Sequence, residues 1–184
     1  MPDLRDRGSC PGGCRRGAMR YFLGLGSNLG DKRRNLERAR RRLVKAGVTV
    51  LNTSSVYRTA PVDVTDQPWF ANQVLEVRTD RTPQELLELA KAVEAGLGRW
   101  PAGEKGPRTI DIDILLAGDT VIDTPSLTIP HPRLAARNFV LVPLLEIAPG
   151  AMHPGLRKTV RELAQECPDR SAVLIDRTRS VARR

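Results

Sequence analysis

The five residues Ile110-Asp111-Ile112-Asp113-Ile114 leave little choice of backbone. Side chains on an extended strand alternate between two faces, whereas a helix would scatter these five around its circumference. As a strand, the three isoleucines enter a core and the two aspartates share the opposite face, about 7 Å apart. Like charges at neighbouring same-face positions repel unless a cation lies between them. Hard oxygen ligands at this spacing suit Mg²⁺ held together with phosphate oxygens. A solvent-facing antiparallel strand would also show two acids by simple alternation, so the pattern alone leaves a structural explanation open. Arg108 in the preceding turn and Arg99 at the far end of the preceding loop shift the balance, because arginine is the usual donor to planar or phosphate groups. Carboxylates for metal beside arginines for phosphate point to phosphoryl or nucleotidyl chemistry.

The rest of the chain supplies partners for that strand. Tyr21 to Gly26 reads as a buried strand, and Ser27-Asn28-Leu29-Gly30-Asp31 as turn chemistry with Asp31 the N-cap of a helix. That helix aligns Leu36, Ala39, Leu43 and Ala46 on one stripe and stops at Gly47. Val48 to Arg58 and Asn72 to Thr79 read as the second and third strands. Thr82-Pro83-Gln84-Glu85 is a capping box with proline at the first helical position, opening a helix that aligns Leu86, Ala90, Val93 and Leu97 before Gly98. The Ile110 to Leu116 strand is the fourth. A hairpin around Gly118 follows, then a helical segment near Phe139 to Ile147, a last helix from about Leu156 to Glu166, and a weak strand at Ala172 to Ile175. The order predicts an α+β ferredoxin-like βαββαβ sandwich with helices on one face of an antiparallel sheet. Ala60 to Phe70 and Arg99 to Thr109 are long for connections in a compact domain, and each carries a tryptophan, Trp69 or Trp100. At least one of them is expected to be a substrate loop.

With 184 residues, one domain is expected. Residues 1–18 hold almost no large apolar side chains and read as a disordered extension, residues 19–176 as the single domain, and residues 177–184 as a basic tail. No apolar run reaches the roughly 20 residues of a membrane span, and the Arg- and Gly-rich start has no apolar export segment. A cytoplasmic protein is expected, with no membrane partner. Three cysteines do not make a disulfide framework there, and Cys167 reads as a small core residue. The formal charge of +9 lies mainly in the two ends and in residues 31–46, where eight Lys or Arg face Asp31 and Glu37. The remainder sums to −3, so the charge describes a solvated helix face and basic ends better than a nucleic-acid footprint.

Absent motifs narrow the class. There is no P-loop, and Gly24-x-Gly26-x3-Gly30 is not a dinucleotide fingerprint. Only His131 and His153 are present, which gives no credible nucleophile triad. His131, between Pro130 and Pro132, is held in an extended loop where a phosphate contact is one option. His153 reads as a surface residue.

Taken together, Gly26-Ser27-Asn28-Leu29-Gly30-Asp31, Ser55-Val56-Tyr57-Arg58-Thr59, Asn72, Gly106-Pro107-Arg108-Thr109-Ile110-Asp111-Ile112-Asp113 and Ile129-Pro130-His131-Pro132-Arg133 resemble the 6-hydroxymethyl-7,8-dihydropterin pyrophosphokinases of folate biosynthesis over roughly residues 20–150. The resemblance implies a monomer that moves the terminal diphosphate of ATP to the hydroxymethyl group of the dihydropterin and releases AMP. It implies two Mg²⁺ on Asp111 and Asp113, with Arg99 and Arg108 steadying the transferred charge. Glu94, Ile114, Thr128, His131 and Arg137 match positions near ATP; Thr59, Pro61, Phe70, Asn72 and Phe139 match the pterin pocket. A flat heteroaromatic needs two ring faces and an amide that both donates and accepts, which Phe70, Phe139 and Asn72 would supply. Where family members often carry a basic residue and a tryptophan before Gly-Pro-Arg, this chain has Glu104-Lys105, so an aromatic lid at that point is not implied.

The alternative is a nucleic-acid-binding module of the same βαββαβ topology. Such modules offer aromatics for base stacking on the open sheet face. Here the fourth strand offers Asp111 and Asp113 there, which would repel phosphate.

Overall fold

The computed structural model describes residues 17–60, 68–98 and 108–177. Pro61, Arg99, Trp100, Glu104, Lys105, residues 1–16 and the last seven residues lie outside them.

Five strands and two helices build the frame: β1 (Met19–Ser27), α1 (Lys32–Lys45), β2 (Thr49–Thr53), β3 (Tyr57–Thr59), β4 (Phe70–Thr79), α2 (Pro83–Gly96) and β5 (Asp111–Ala117). A ribbon of β6 (Ile122–Asp123) and β7 (Thr128–Ile129), helix α3 (Asn138–Ile147), a second ribbon of β8 (Met152–His153) and β9 (Lys158–Thr159), helix α4 (Val160–Glu166) and β10 (Val173–Ile175) follow. The main sheet runs β10-β3-β4-β1-β5, with β2 also on β4 and every pairing antiparallel. This is the expected α+β, ferredoxin-like sandwich on an antiparallel sheet; the expected helical face is that of α1 and α2, and α3 and α4 add cover on the other.

Helix entry follows the local chemistry. The Asp31 side chain accepts the Arg34 N–H at 3.1 Å, and Thr82 and Glu85 close a reciprocal capping box. Leu36, Ala39 and Leu43 of α1 and Leu86, Ala90 and Val93 of α2 then cover one sheet face. They bury Tyr21, Leu23, Leu25, Leu75, Val77, Ile110, Ile112 and Ile114. The opposite face is covered over half its length by α3 and α4, whose Leu141, Leu144, Val160 and Leu163 pack on Phe22, Val74, Leu115 and Leu116. Gly24, Gly26, Asn72, Asp111 and Asp113 lie on the remainder of this face.

Two expected elements are corrected. Val48 to Arg58 is not one strand: Ser54 turns its hydroxyl toward β4, accepting the Val74 N–H at 2.9 Å, and the edge breaks into β2 and β3. The last helix begins at Val160 rather than Leu156, because Thr159 and Glu162 form a second capping box. The preceding residues turn the β8–β9 ribbon, with Arg157 at a φ of 52°. Cys167 is 1% exposed, in the core as expected.

Candidate functional site

The site is laid out by strand register. Gly26 of β1 is paired with Asn72 of β4 on one side and with Asp111 of β5 on the other; Gly24 is paired with Val74 and Asp113. Asn72, Gly26 and Asp111 therefore form one row across the face opposite α1 and α2, and the middle position has no side chain. The glycine leaves a trough about 10 Å from strand to strand between an amide and a carboxylate. A Cβ at Gly26 would stand 3.1 Å from Asn72 Oδ1, and one at Gly24 would stand 3.3 Å from Leu115. Asn72 Nδ2 donates to Thr59 Oγ1 at 2.7 Å, and both residues are buried. Phe70 lies two residues from Asn72 on the same face and is half-buried. Phe139 comes from the first turn of α3, which packs against β4, and the Arg137 guanidinium stacks 5.3 Å above its ring.

At the carboxylate end, Arg108 Nη1 meets Asp111 Oδ2 at 2.6 Å. Burial first, then the charge of Asp111, raises Asp113 from the usual carboxylate value to about 6, against the pull of Arg137 and Arg108. A carboxyl held in that way favours a cation beside it. Among the described residues no group of three or more His, Cys, Asp or Glu could hold a metal, so Asp111 and Asp113 would supply only part of a coordination shell. That fits Mg²⁺, which retains water and takes further oxygens from phosphate.

The strand β5 also places His131. Its pairing with β1 shifts register between Phe22 and Leu23, which leaves Leu115 as the bulged residue, and the Leu115 carbonyl accepts the His131 N–H at 3.0 Å. Burial, then Arg137 and Arg133, lowers the imidazole to about 4, so it is neutral at neutral pH. Its Nδ1 accepts the Arg133 N–H at 3.1 Å, which assigns the ring proton to Nε2. Thr128 on β7 lies beside β5. The Ile114 side chain is in the core, so only its backbone can meet a ligand at this strand edge. Glu94 is buried on α2 and accepts the Ile112 N–H at 2.6 Å, satisfying a backbone group on the free edge of β5.

The structure thus gathers Arg108, Asp111, Asp113, His131 and Arg137 at one end of the trough and Thr59, Asn72 and Phe70 at the other, with Phe139 under the Arg137 guanidinium. Glu94, Ile114 and Thr128 stand along the β5 edge, while Pro61 and Arg99 are not described. Nothing local in the sequence marks Gly26 or Asn28 as a site residue; their part depends on strand register and on a contact across the chain. A neighbouring cleft of about 320 Å³ beyond Phe70 is lined by Asp31 and Asp176 rather than by Asp111 and Asp113, and its cations are engaged: Arg33 with Asp176, Lys32 with the Trp69 carbonyl, Arg58 over the Trp69 ring.

Comparison with known proteins gives the same assignment. The profile of the 7,8-dihydro-6-hydroxymethylpterin-pyrophosphokinase (HPPK) family matches residues 22–149. The 2-amino-4-hydroxy-6-hydroxymethyldihydropteridine pyrophosphokinase of Methylorubrum extorquens is 44% identical over 144 residues, which is 78% of this chain and 90% of that protein. The Bacillus subtilis protein of the same name is 46% identical over 127 residues, 68% of this chain and 76% of its own. The folic acid synthesis protein fol1 of Pneumocystis carinii is 42% identical over 133 residues; the match takes in 72% of this chain but only 18% of that longer protein. A crystal structure of wild-type Plasmodium falciparum HPPK-DHPS with pteroate shares the fold, with a TM-score of 0.66 at 18% identity over 81% of this chain and 43% of that one. The chain belongs to the 7,8-dihydro-6-hydroxymethylpterin-pyrophosphokinase family, whose enzymes are ATP-dependent diphosphotransferases of folate biosynthesis.

Proposed function

We propose that this chain carries out the family reaction in the trough between Asn72 and Asp111. The terminal diphosphate of ATP passes to the hydroxymethyl oxygen of 6-hydroxymethyl-7,8-dihydropterin, giving the dihydropterin diphosphate and AMP. The row Asn72-Gly26-Asp111 carries this reading. An amide that can read the pterin edge stands across the side-chain-free Gly26 from a carboxylate at the phosphate end, and the span suits a flat bicyclic ring with its short arm.

At the pterin end, Asn72 keeps its carbonyl oxygen toward the trough while Thr59 fixes its nitrogen, and Phe70 and Phe139 supply the ring faces. Pro61, which lies outside the described residues, is assigned to the same substrate by the family resemblance alone. At the phosphate end, Asp111 and Asp113 would hold two Mg²⁺, which supply charge neutralisation and polarise the phosphoryl oxygens. Arg108, with Arg99, meets the charge that develops as the new oxygen–phosphorus bond forms and the bond to the AMP oxygen breaks. His131, through Nε2–H, and Arg137 donate to ATP. Thr128 and the Ile114 backbone border the nucleotide along the β5 edge, with Glu94 beneath it. Both substrates are small molecules, the protein acts as a monomer, and nucleic acid has no place on a face that presents two carboxylates.

The test is product analysis with Mg²⁺, ATP and the dihydropterin. AMP formed in step with the dihydropterin diphosphate supports the reading. ADP as the nucleotide product, or ATP turnover indifferent to the dihydropterin, overturns it.

Among the described residues no helix is long and apolar enough to cross a membrane.

A further inference from the structure

Two buried asparagines, Asn28 in the β1–α1 connection and Asn35 in α1, have no part in the chemistry above. Asn28 is 1% exposed and Asn35 7%. From the first turn of α1, Asn35 Nδ2 donates to Ser27 Oγ at 3.2 Å and to the Leu29 carbonyl at 2.9 Å, bracketing Asn28 on both sides. Asn28 Oδ1 accepts the Arg108 N–H at 2.7 Å, and the Asn28 N–H donates to the Arg108 carbonyl at 3.1 Å. One residue therefore takes both polar groups of the Arg108 main chain, and the Arg108 side chain reaches Asp111.

The β1–β5 ladder ends at the pair Gly26 and Asp111, three residues short of Arg108. Beyond that pair Asn28, the first residue after β1, holds Arg108 with one backbone bond and one side-chain bond. Ile110 is anchored by the core, but Arg108 is anchored by Asn28.

We propose that Asn28 is a positioning residue for Arg108, holding its backbone so that the guanidinium stands ready at the phosphate end of the trough. The proposal rests on the reading of Arg108 as the group that meets the transferred charge. An arginine that acts in the transition state is sensitive to displacements of an ångström, whereas one that merely attracts ATP is not. Asn35 acts one step further out, by fixing the turn that carries Asn28.

A double-mutant cycle with Arg108→Ala separates this role from a general effect on folding. Wild type, Asn28→Ala, Arg108→Ala and the double variant are compared for kcat with Mg-ATP and dihydropterin, for Mg-ATP affinity, and for Tm. Asn28→Ala should lower kcat about tenfold with ATP affinity held within about threefold, and in the Arg108→Ala background the same change should move kcat by less than about twofold. Asn28→Asp, which keeps the oxygen acceptor for Arg108, should retain more turnover than Asn28→Ala. If Asn28→Ala does not fold, Asn28→Ser takes its place in the cycle, since its hydroxyl bonds locally in the turn but is too short to bridge. An equal loss of kcat with and without the Arg108 guanidinium, or an Asn28→Asp enzyme no better than Asn28→Ala, overturns the proposal. A wild-type protein that forms no AMP in the presence of the dihydropterin would instead overturn the functional reading beneath it.

Discussion

A Cβ added to Gly26 would stand 3.1 Å from the side-chain oxygen of Asn72, closer than side chains ordinarily approach. The register that sets the two residues side by side also opens the trough to Asp111. Gly26→Ala should push the Asn72 amide aside and narrow the trough. The KM for dihydropterin should rise about tenfold while the KM for ATP stays within about twofold, because the displaced group reads only one substrate. Steady-state kinetics with each substrate varied in turn checks this; equal changes in both values would refute it.

Replacing Asp111 or Asp113 by Ala should reduce Mg²⁺-dependent turnover by at least about 10² while leaving the fold intact, because neither side chain faces the core. Stability should hold or rise. Asp113 is raised above its unfolded value, so the ionised folded form carries a cost that is complete above about pH 6 and falls away toward the ordinary carboxylate value near 4. Asp113→Asn measured without Mg²⁺ should therefore raise Tm more at pH 8 than at pH 5. A variant that unfolds, or one that keeps near-normal activity, would make the pair structural.

Arg108→Ala should lower turnover more than it weakens ATP binding, since an arginine that meets charge during transfer contributes most in the transition state. Comparing kcat with the Kd for a non-hydrolysable ATP analogue decides it. A change confined to the Kd would leave Arg108 a binding residue only.

His131 is depressed to about 4, so the folded protein keeps it neutral where the unfolded chain, near 6.5, takes up a proton. Its contribution to stability is complete above about pH 6.5 and is lost as pH falls toward 4. Wild-type Tm should therefore fall more steeply between pH 7 and pH 5 than that of His131→Asn. Parallel Tm profiles would remove the buried-histidine account.

What could be read in the residues themselves was local. Alternation placed Ile110, Ile112 and Ile114 in the core and Asp111 and Asp113 opposite them, and this is how they stand. Asp31 and the Thr82–Glu85 box start their helices as expected, because capping depends on residues three apart. The Thr159–Glu162 box follows the same local rule and starts the last helix at Val160. The break at Ser54 was not legible, since it depends on the Val74 N–H, 20 residues away, choosing a side-chain hydroxyl.

Residue types and their spacing along the chain thus determined the strand–helix order, the buried faces and the paired carboxylates, all of which follow from periods of two and 3.6 residues. Tertiary structure decided the rest. Asn72 and Asp111 become neighbours across Gly26 only when β4 and β5 pair with β1 in one register, and a slip of one residue would turn Asn72 into the helical face. Asn28 meets Arg108 across 80 residues of chain, and α3 brings Phe139 and Arg137 over a face that the βαββαβ pattern alone leaves bare. Such contacts are selected by how the whole core packs, and no short-range pattern encodes them.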